Sequence, residues 1–329
     1  MISRQNCQII GRDVKYFGEM KKKYGIAFEE YRKKWELASQ FKYYSDYPLQ
    51  IDIDTIDACN LACKFCNARN NFPRTPTNKK IPKPLVKQIF HEAVNTPSHD
   101  KLCALNIGNY GEPLLNAQII PEILSSSHDA GVIETFLHTN GQQLTEKIFK
   151  TLVKGELSHI FISLDTLNPD IYRELRGGDI QKVLENLKAV IEYRDSEEEI
   201  FPLIHISFMN SPITDSERDR FIEFWREKVN FIEIQTFSDW FSPISGKTVN
   251  RKCPQPWQRL SIDTVGNLIP CCAAIPDKSL MEHGLGSLNH TSIFDAWNSQ
   301  KMNLLRKAIV NNKFEDFRFC QECHLRCQK

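Results

Sequence analysis

From Leu49 to Thr236 the chain alternates short apolar runs with longer amphipathic stretches, the pattern of parallel strands joined by crossover helices. The runs predict strands near 49–54, 102–107, 132–138, 159–164, 200–207 and 230–236. Between them the pattern predicts helices near 84–94, 116–129, 144–153, 180–193 and 215–228. Pro84 suits the start of the first helix, because its missing N–H falls where a helix has no internal partner. Asn116 and Thr214 are candidate caps for two others. Six strand–helix repeats predict an α/β fold, a partial (β/α)6 TIM-like barrel whose ligands meet the loops at the carboxyl ends of the strands.

The pattern breaks on both sides of this region. Residues 1–47 carry a polar, aromatic-rich segment that suits one or two short helices, an amino-terminal helical arm before a barrel spanning 48–237. Near 238–252, SDWFSPISGKTVNRK mixes aromatic residues with Pro, Gly and polar residues and reads as a boundary. Beyond it, Leu260–Thr264 and Asn267–Pro270 flank Val265-Gly266 as a short hairpin, before helical material around 291–310. Residues 238–329 thus form a linker and a small α+β domain, of a size that a bound metal would stabilise.

Charge is nearly balanced, with 42 basic and 41 acidic side chains among 329 residues and no long single-sign block. A polyanion groove or acidic tail is therefore not expected, and nucleic acid would need a local patch. No window approaches the roughly 18 apolar residues of a membrane span, and MISRQNCQIIGRDVKYFG carries no hydrophobic signal segment. The expected compartment is the cytoplasm, where disulfides do not account for 11 cysteines. Metal is the leading explanation.

Cys59, Cys63 and Cys66 form CNLACKFC immediately after the first predicted strand. Three thiolates on one loop suit an iron–sulfur cluster, and a cubane held by three cysteines leaves one iron open for a small chelating cofactor. Structural zinc completed by a ligand from elsewhere is the alternative.

This spacing, in this place, resembles the radical S-adenosylmethionine (SAM) superfamily, and the resemblance runs from about Leu49 to Thr236. It implies a [4Fe–4S] cluster whose open iron binds the amino and carboxylate groups of SAM, with reductive cleavage giving a 5′-deoxyadenosyl radical that removes a hydrogen atom from substrate. An external electron donor such as flavodoxin or ferredoxin follows from that chemistry. Phe65 matches the family's aromatic position whose backbone contacts adenine; loop packing is the plain alternative. Gly108-Asn109-Tyr110-Gly111-Glu112-Pro113 resembles the segment written GGEP, although Asn109-Tyr110 depart from a double glycine. There Gly111 permits close backbone approach, Asn109 is a neighbouring cofactor contact, and Glu112 accepts a hydrogen bond from the cofactor ammonium. His138-Thr139-Asn140-Gly141 matches a recurring turn that makes Thr139 and Asn140 cofactor contacts or supports. By the same resemblance Ser163 is a ribose contact, and Arg176 contacts the cofactor carboxylate or a substrate anion. His205 is a candidate to face the cofactor, with a satisfied core histidine as the alternative.

The carboxyl-terminal region holds Cys253, Cys271, Cys272, Cys320, Cys323 and Cys327. Four thiolates close a cubane completely, and Cys253, Cys271, Cys320 and Cys323 are the preferred set. Cys272 is the main substitute for Cys271, Cys327 is a further alternative or a free thiol, and zinc would use similar residues. Asp263-x2-Gly266-x3-Pro270-Cys271-Cys272, Leu285–Leu288, Ile293–Trp297 and Cys320-x2-Cys323 resemble the SPASM and twitch auxiliary-cluster domains. Six candidate cysteines and a short tail fit one auxiliary [4Fe–4S] cluster and the twitch form.

A closed cluster beside a carbon radical suits dehydrogenation of an alcohol carbon in a small sugar, amino sugar or cyclitol. Cys272, if not a ligand, is a candidate hydrogen donor for epimerisation. Peptide modification is the competing substrate class, and a non-catalytic iron–sulfur scaffold the rival outside enzymes. Asp239, Trp240, Trp257, Arg259 and Asp263 are candidates to line a cavity between the domains.

Overall fold

In the computed structural model, residues 7–11, 15–66, 78–236, 249–250, 252–272, 274, 284–317, 320, 323 and 327–328 are described. After an initial strand β1 (Cys7–Gly11), six parallel strands follow: β2 (Gln50–Ile53), β3 (Ala104–Ile107), β4 (Glu134–Thr139), β5 (His159–Ser163), β6 (Leu203–Asn210) and β7 (Phe231–Thr236). They lie side by side in chain order, as the alternating pattern predicts. Ile51, Ile53, Leu105, Ile107, Leu137, Ile160, Ile162, Ile204, Ile206, Ile232 and Ile234 are buried on one side. Alternation turns Gln50, Asp52, Asn106, Glu134, His159, His205 and Glu233 to the other, and these are buried too. The inner face of the partial barrel therefore mixes these polar residues with aromatic ones such as Phe136, Phe161 and Phe231, whereas most parallel sheets are aliphatic on both faces.

The helices are α1 (Lys15–Tyr24), α2 (Ile26–Ser39), α3 (Lys83–Asn95), α4 (Ile120–Asp129), α5 (Glu146–Lys154), α6 (Pro169–Arg176), α7 (Ile180–Ser196) and α8 (Arg218–Trp225). Pro84 sits in the first turn of α3, as its chemistry suggests. Asn116 is not a cap. It lies in a 3-10 turn, Pro113–Ile119, with non-helical φ −125° and ψ 41°, and its side-chain amide donates to the Thr55 carbonyl at 2.9 Å. Glu112 caps that turn through its carboxylate, and α4 begins only at Ile120. Thr214 precedes a 3-10 turn without capping it by its side chain, because its hydroxyl donates to the Met209 carbonyl. The helix α6 has no counterpart among the predicted elements; Asn168 caps it and Gly177 ends it at φ 73°.

Two pairings lie beyond what periodicity shows. β1 runs antiparallel along β7 at one edge of the sheet. At the other edge β9 (Arg259–Ile262), which follows β8 (Val249–Asn250) and the short helix α9 (Gln255–Gln258), pairs parallel with β2. β10 (Asn267–Ile269) and β11 (Gly286–Ser287) extend it antiparallel, giving one ten-stranded sheet. The hairpin is where the sequence predicts it, and Asp263 is spent on its turn, accepting from the Val265 and Asn267 amides at 3.0 and 2.9 Å. The predicted 291–310 helix divides at Ser299 into α10 (Ile293–Asn298) and α11 (Gln300–Asn311). A separate two-stranded ladder joins β8 to β12 (Cys327–Gln328).

The arm formed by α1 and α2 covers the amino-terminal ends of the barrel strands. Tyr16 reaches Glu134 and His159, the first residues of β4 and β5, while Arg259, the first residue of β9, lies 5.4 Å over the Trp35 ring. Trp257 packs edge-on to Phe41 at 4.8 Å, so it is a packing residue of this junction. The buried Trp297 donates from its indole to the Ser45 carbonyl at 2.8 Å, tying the carboxyl-terminal helices to the chain entering β2.

Because β9 belongs to the same sheet as β2, the two regions should unfold as one. Leu260 is fully buried in β9, and Leu260→Ala should cost about 2–5 kcal/mol. Urea unfolding followed by far-UV circular dichroism and tryptophan fluorescence should show coincident transitions that move together in the variant. Two separate transitions, with only one displaced, would contradict the shared sheet.

Candidate active site and auxiliary cysteine site

The loop after β2 carries Cys59, Cys63 and Cys66, and three neighbouring elements hold it. The carboxyl end of α6 supplies acceptors: the Ala62 amide donates to the Arg176 carbonyl at 3.0 Å and the Lys64 amide to the Leu175 carbonyl at 2.9 Å. From the loop after β3, the Glu112 amide donates to the Ala58 carbonyl at 2.8 Å. Gly111 lies so close that a Cβ there would run into the Ile56 carbonyl oxygen and stand 2.8 Å from that of Ala58. From the loop after β4, the Asn140 side chain donates to Asn60 Oδ1 at 2.8 Å and lies 3.8 Å from Cys59 Sγ. Glycine at 111 is thus required by packing against the cysteine loop itself.

Glu112 is buried and joins two of these loops. Its carboxylate accepts from Thr139 Oγ1 at 2.6 Å, the Asn140 amide at 2.8 Å and the Leu114 amide at 3.1 Å. Burial nevertheless pushes its pKa up to about 7, with those hydrogen bonds acting in the opposite direction. Asp54, just beyond β2, accepts from the Asn109 and Tyr110 amides at 2.9 Å each and so sets the backbone of the Gly108–Pro113 segment.

Arg176 is buried at the edge of the cysteine loop. Its Nε donates to Asp165 Oδ2 at 2.7 Å, its Nη1 stands 3.8 Å from Cys63 Sγ, and its guanidinium lies 5.2 Å from the Phe65 ring centre. The Arg176 charge lowers the Cys63 pKa, but burial outweighs it and leaves that thiol above its ordinary value. Asp165 adopts φ 71°, and Ser207 donates to it at 3.5 Å. Ser163 ends β5 in register with Ser207. Cys59, Cys63, Cys66, Phe65, Asn109, Gly111, Glu112, Thr139, Asn140, Ser163 and Arg176 therefore share the loop end of the barrel, while His205 lies one register row deeper.

Below these loops the inner face is arranged in register rows. Ser261, Asp52, Asn106, Phe136 and His159 form one; His138, Phe161, His205 and Phe231 form the next toward the loops. The second row is a continuous ring stack, with centres 4.4, 4.1 and 4.6 Å apart. Gln50 Oε1, Asn106 Oδ1, Asn109 Nδ2 and Arg259 Nε are buried polar atoms with no hydrogen-bond partner among the described residues. Buried groups of this kind normally find partners, and Asn106 and Asn109, near the loop end of β3, are within the reach of a ligand held by the loops. Three arginines of the interior are each matched to a carboxylate: Arg176 to Asp165, Arg259 to Asp52 at 3.6 Å, and Arg32 to Glu134 at 3.3 Å.

The second cysteine group gathers around the end of β10. Cys271 and Cys320 are buried, and Cys253, Cys272 and Cys323 are partly buried. Burial raises the Cys271 thiol well above its ordinary value, and the charges of Cys272, Cys320, Cys253 and Cys323 all act on it in the same direction. Cys253 is pushed up to about 12, again mainly by burial, with Cys323 and Cys272 contributing. Cys272 Sγ is engaged with Gln255 Oε1 at 3.1 Å. The Cys327 backbone pairs with Asn250, while its side chain, like Asp239 and Trp240, lies outside the described residues.

Tyr110 links the two sites. Its amide is held by Asp54, its hydroxyl donates to the Cys272 carbonyl at 3.0 Å, and its ring packs with Ile269, Cys271 and Ala274. Sequence reasoning noted Tyr110 only as a departure from double glycine and passed over Asp54, Asp52 and Asp165. The alternation Gln50-x-Asp52-x-Asp54 in a strand of a parallel sheet was the available signal for an inward polar face.

Among the described residues, no three His, Cys, Asp or Glu side chains are drawn together as on a single metal ion. The donor chemistry nonetheless fits clusters at both sites. Each has at least three thiols and no disulfide among them. The mutual pKa effects put the thiols of each group within electrostatic reach of one another, and binding would remove the protons that burial now holds.

Comparison with known proteins agrees with this geometry. Residues 53–225 match the model of the radical SAM superfamily, and residues 253–324 match SPASM, the iron–sulfur cluster-binding domain. The GTP 3′,8-cyclase of Limosilactobacillus fermentum is 29% identical over 153 residues, 46% of this chain and 43% of that protein. That of Alkaliphilus oremlandii is 29% identical over 191 residues, 57% of this chain and 56% of its own. The chain thus spans about half the length of these curated relatives. Among solved structures, anSMEcpe with bound AdoMet superposes with a TM-score of 0.63 at 14% identity, covering 86% of this chain and 92% of that one. Streptococcus suis SuiB bound to precursor peptide SuiA gives 0.56 at 16%, covering 84% and 70%. The family carries a SAM-binding [4Fe–4S] cluster and generates a 5′-deoxyadenosyl radical for hydrogen abstraction. The chain belongs to the radical SAM superfamily, as an enzyme with a carboxyl-terminal auxiliary iron–sulfur domain of the SPASM/twitch kind.

Proposed function

We propose that this enzyme dehydrogenates an alcohol carbon of a small sugar, amino sugar or cyclitol, with the second electron passing to an auxiliary [4Fe–4S] cluster. The observation that carries the reading is the Tyr110 bridge, which joins the loop of Glu112 directly to the Cys271-Cys272 segment. Cys59, Cys63 and Cys66 would hold the first cluster, with Arg176 and Asn140 beside its sulfurs. Glu112 would take the SAM ammonium, an ionised carboxylate having acceptor capacity beyond the three bonds it already makes. Asn109, Thr139, Ser163, Phe65 and Arg176 would position the rest of that cofactor. Cys253, Cys271, Cys320 and Cys323 would hold the auxiliary cluster, and a reductant of flavodoxin or ferredoxin type would supply the first electron. When bound, the cofactor pair provides a radical that removes a hydrogen atom and a sink for one electron. The chain's own residues orient the substrate carbon and keep water out.

Substrate class is argued from the Asn106 and Asn109 atoms left without partners among the described residues, which suit hydroxyl and amino groups. GTP, the substrate named for the curated relatives, is disfavoured because, among the described residues, the interior arginines Arg32 and Arg176 are already matched to carboxylates. Epimerisation through Cys272 is disfavoured because its thiol faces Gln255. The domain division proposed with this reading is an arm over 1–47, a barrel over 48–237 and the linker with its auxiliary domain over 238–329.

On glucosamine deuterated at its ring carbons, reconstituted enzyme with reductant should give deuterated 5′-deoxyadenosine and a carbonyl product, in equal amounts by mass spectrometry. A redox-neutral product, or turnover of GTP alone, would contradict the reading. Cys253→Ala should keep SAM cleavage but lose most of the carbonyl product, whereas equal product would remove the auxiliary site from the chemistry. Glu112→Gln should weaken SAM binding about 10- to 100-fold in calorimetry, the size of a lost charge-assisted hydrogen bond. In the parent protein SAM affinity should fall as pH drops through about 7, where Glu112 gains its proton, and the variant should lack that dependence.

A further inference from the structure

Five titratable side chains that the site above does not use form a file down the inside of the barrel, hydrogen-bonded from His205 to Glu134 and continued to Glu233 by a 3.4 Å contact. Glu233 stands in the row of Ser163 and Ser207, toward the loop end. Its Oε1 lies 3.4 Å from Nδ1 of His205, one row deeper. His205 Nε2 meets His159 Nδ1 at 3.0 Å, another row down, and His159 Nε2 meets the Tyr16 hydroxyl at 2.9 Å. Tyr16 donates to Glu134 Oε1 at the amino-terminal end of β4, and Arg32 Nη1 lies 3.3 Å from the other oxygen of Glu134. All five are under a tenth exposed, whereas the Arg32 side chain at the end of the file is 17% exposed.

Packing alone does not call for this arrangement. Burying ionisable groups is costly, and well-packed apolar residues often serve stability equally well. Here His159 hydrogen-bonds through both ring nitrogens and His205 through Nε2, while His205 Nδ1 stands 3.4 Å from Glu233 without a hydrogen bond between them, so one polarity of donors runs from His205 to Glu134 and inverting it moves a proton along that stretch. The rings are held in orientation: His205 is stacked between Phe161 at 4.1 Å and Phe231 at 4.6 Å, and His159 stacks on Phe136 at 4.9 Å with Tyr16 edge-on at 4.8 Å. Among the described residues, Gln235, whose amide lies 3.4 Å from Glu233, and His138, stacked on Phe161, also face the file.

We propose that this file is a proton relay, carrying the hydroxyl proton of the substrate from Glu233 to the Glu134 carboxylate, beside Arg32, at the opposite end of the barrel; it rests on the dehydrogenase reading. Oxidation of a secondary alcohol carbon removes three things. The carbon hydrogen leaves as an atom to the 5′-deoxyadenosyl radical, one electron goes to the auxiliary cluster, and the hydroxyl proton must go to a base as the carbonyl double bond forms. Glu233 receives that proton and passes it to His205 Nδ1. His205 releases its Nε2 proton to His159 Nδ1, and His159 releases its Nε2 proton to the Tyr16 oxygen as the Tyr16 proton moves to Glu134. Tyr16, His159 and His205 act through Glu233 and are relay residues that need not touch substrate.

Tyr16→Phe removes one oxygen from the file, far from the cysteine loops, and His159→Gln is the second variant should the first fail to fold. Ring-nitrogen NMR of the histidine-labelled, cofactor-free protein should show that Tyr16→Phe moves the signals of His159 and also those of His205, which Tyr16 does not touch, while surface His91 stays put. A change confined to His159 would overturn the relay. With ring-deuterated glucosamine, Tyr16→Phe should keep deuterium transfer into 5′-deoxyadenosine within twofold of the parent and lower carbonyl product per 5′-deoxyadenosine at least tenfold. An unchanged ratio would overturn the relay whatever the spectra show. If the parent enzyme forms no carbonyl product, the dehydrogenase reading fails instead, and the NMR arm still decides whether the file is coupled.

Discussion

The parallel pairing of β9 with β2 is the constraint on which the rest of the molecule depends. β2 leads directly into the Cys59 loop, and β9 stands between Cys253 and the hairpin that ends at Cys271. Four register pairs, Gln50 to Arg259 through Ile53 to Ile262, therefore fix the two cysteine groups relative to one another. Asp54 continues the pairing through its amide to the Ile262 carbonyl at 3.1 Å, and its side chain holds Tyr110. An appended domain on a flexible tether would set no such distance, and electron transfer between sites needs one.

The second organising feature is the polar inner face. Parallel sheets usually meet their neighbours through aliphatic residues on both sides. Here the outer positions follow that rule and the inner ones do not, so the barrel interior holds carboxylates, matched arginines, histidines and unpartnered amides. Such groups raise the cost of an empty interior and lower the cost of a filled one. Stability has been given up where a hydrogen-bonding substrate and a departing proton would each find partners.

The barrel is legible because short apolar runs alternate regularly with longer amphipathic stretches, and the first cysteine loop because its spacing is local. Among the proposed cofactor contacts, Thr139 and Ser163 end their strands and Asn109 and Asn140 sit one or two residues past one, where a strand-by-strand reading looks for them, whereas Phe65, Glu112 and Arg176 lie further along the loops. The helix α6 escaped because eight residues hold barely two turns, though Asn168-Pro169 at its start and Gly177 at its end were the signals it left. Asn116 was misread because a capping residue type carries no information about which backbone group it will meet; Glu112, four positions earlier, took that role. The pairing of β9 with β2, over 200 residues apart, and the meeting of Tyr16 with His159 across 143 positions are non-local. No periodicity encodes them.

At the centre of this account is a substrate radical that gives its electron to the carboxyl-terminal cysteine site across the Tyr110 bridge. Freeze-quenched electron paramagnetic resonance during a single turnover with ring-deuterated glucosamine addresses that step alone. One reduced auxiliary cluster should form for each deuterated 5′-deoxyadenosine, and no such signal should form in Cys253→Ala. Carbonyl product that accumulates while the auxiliary cluster stays oxidised throughout would contradict it.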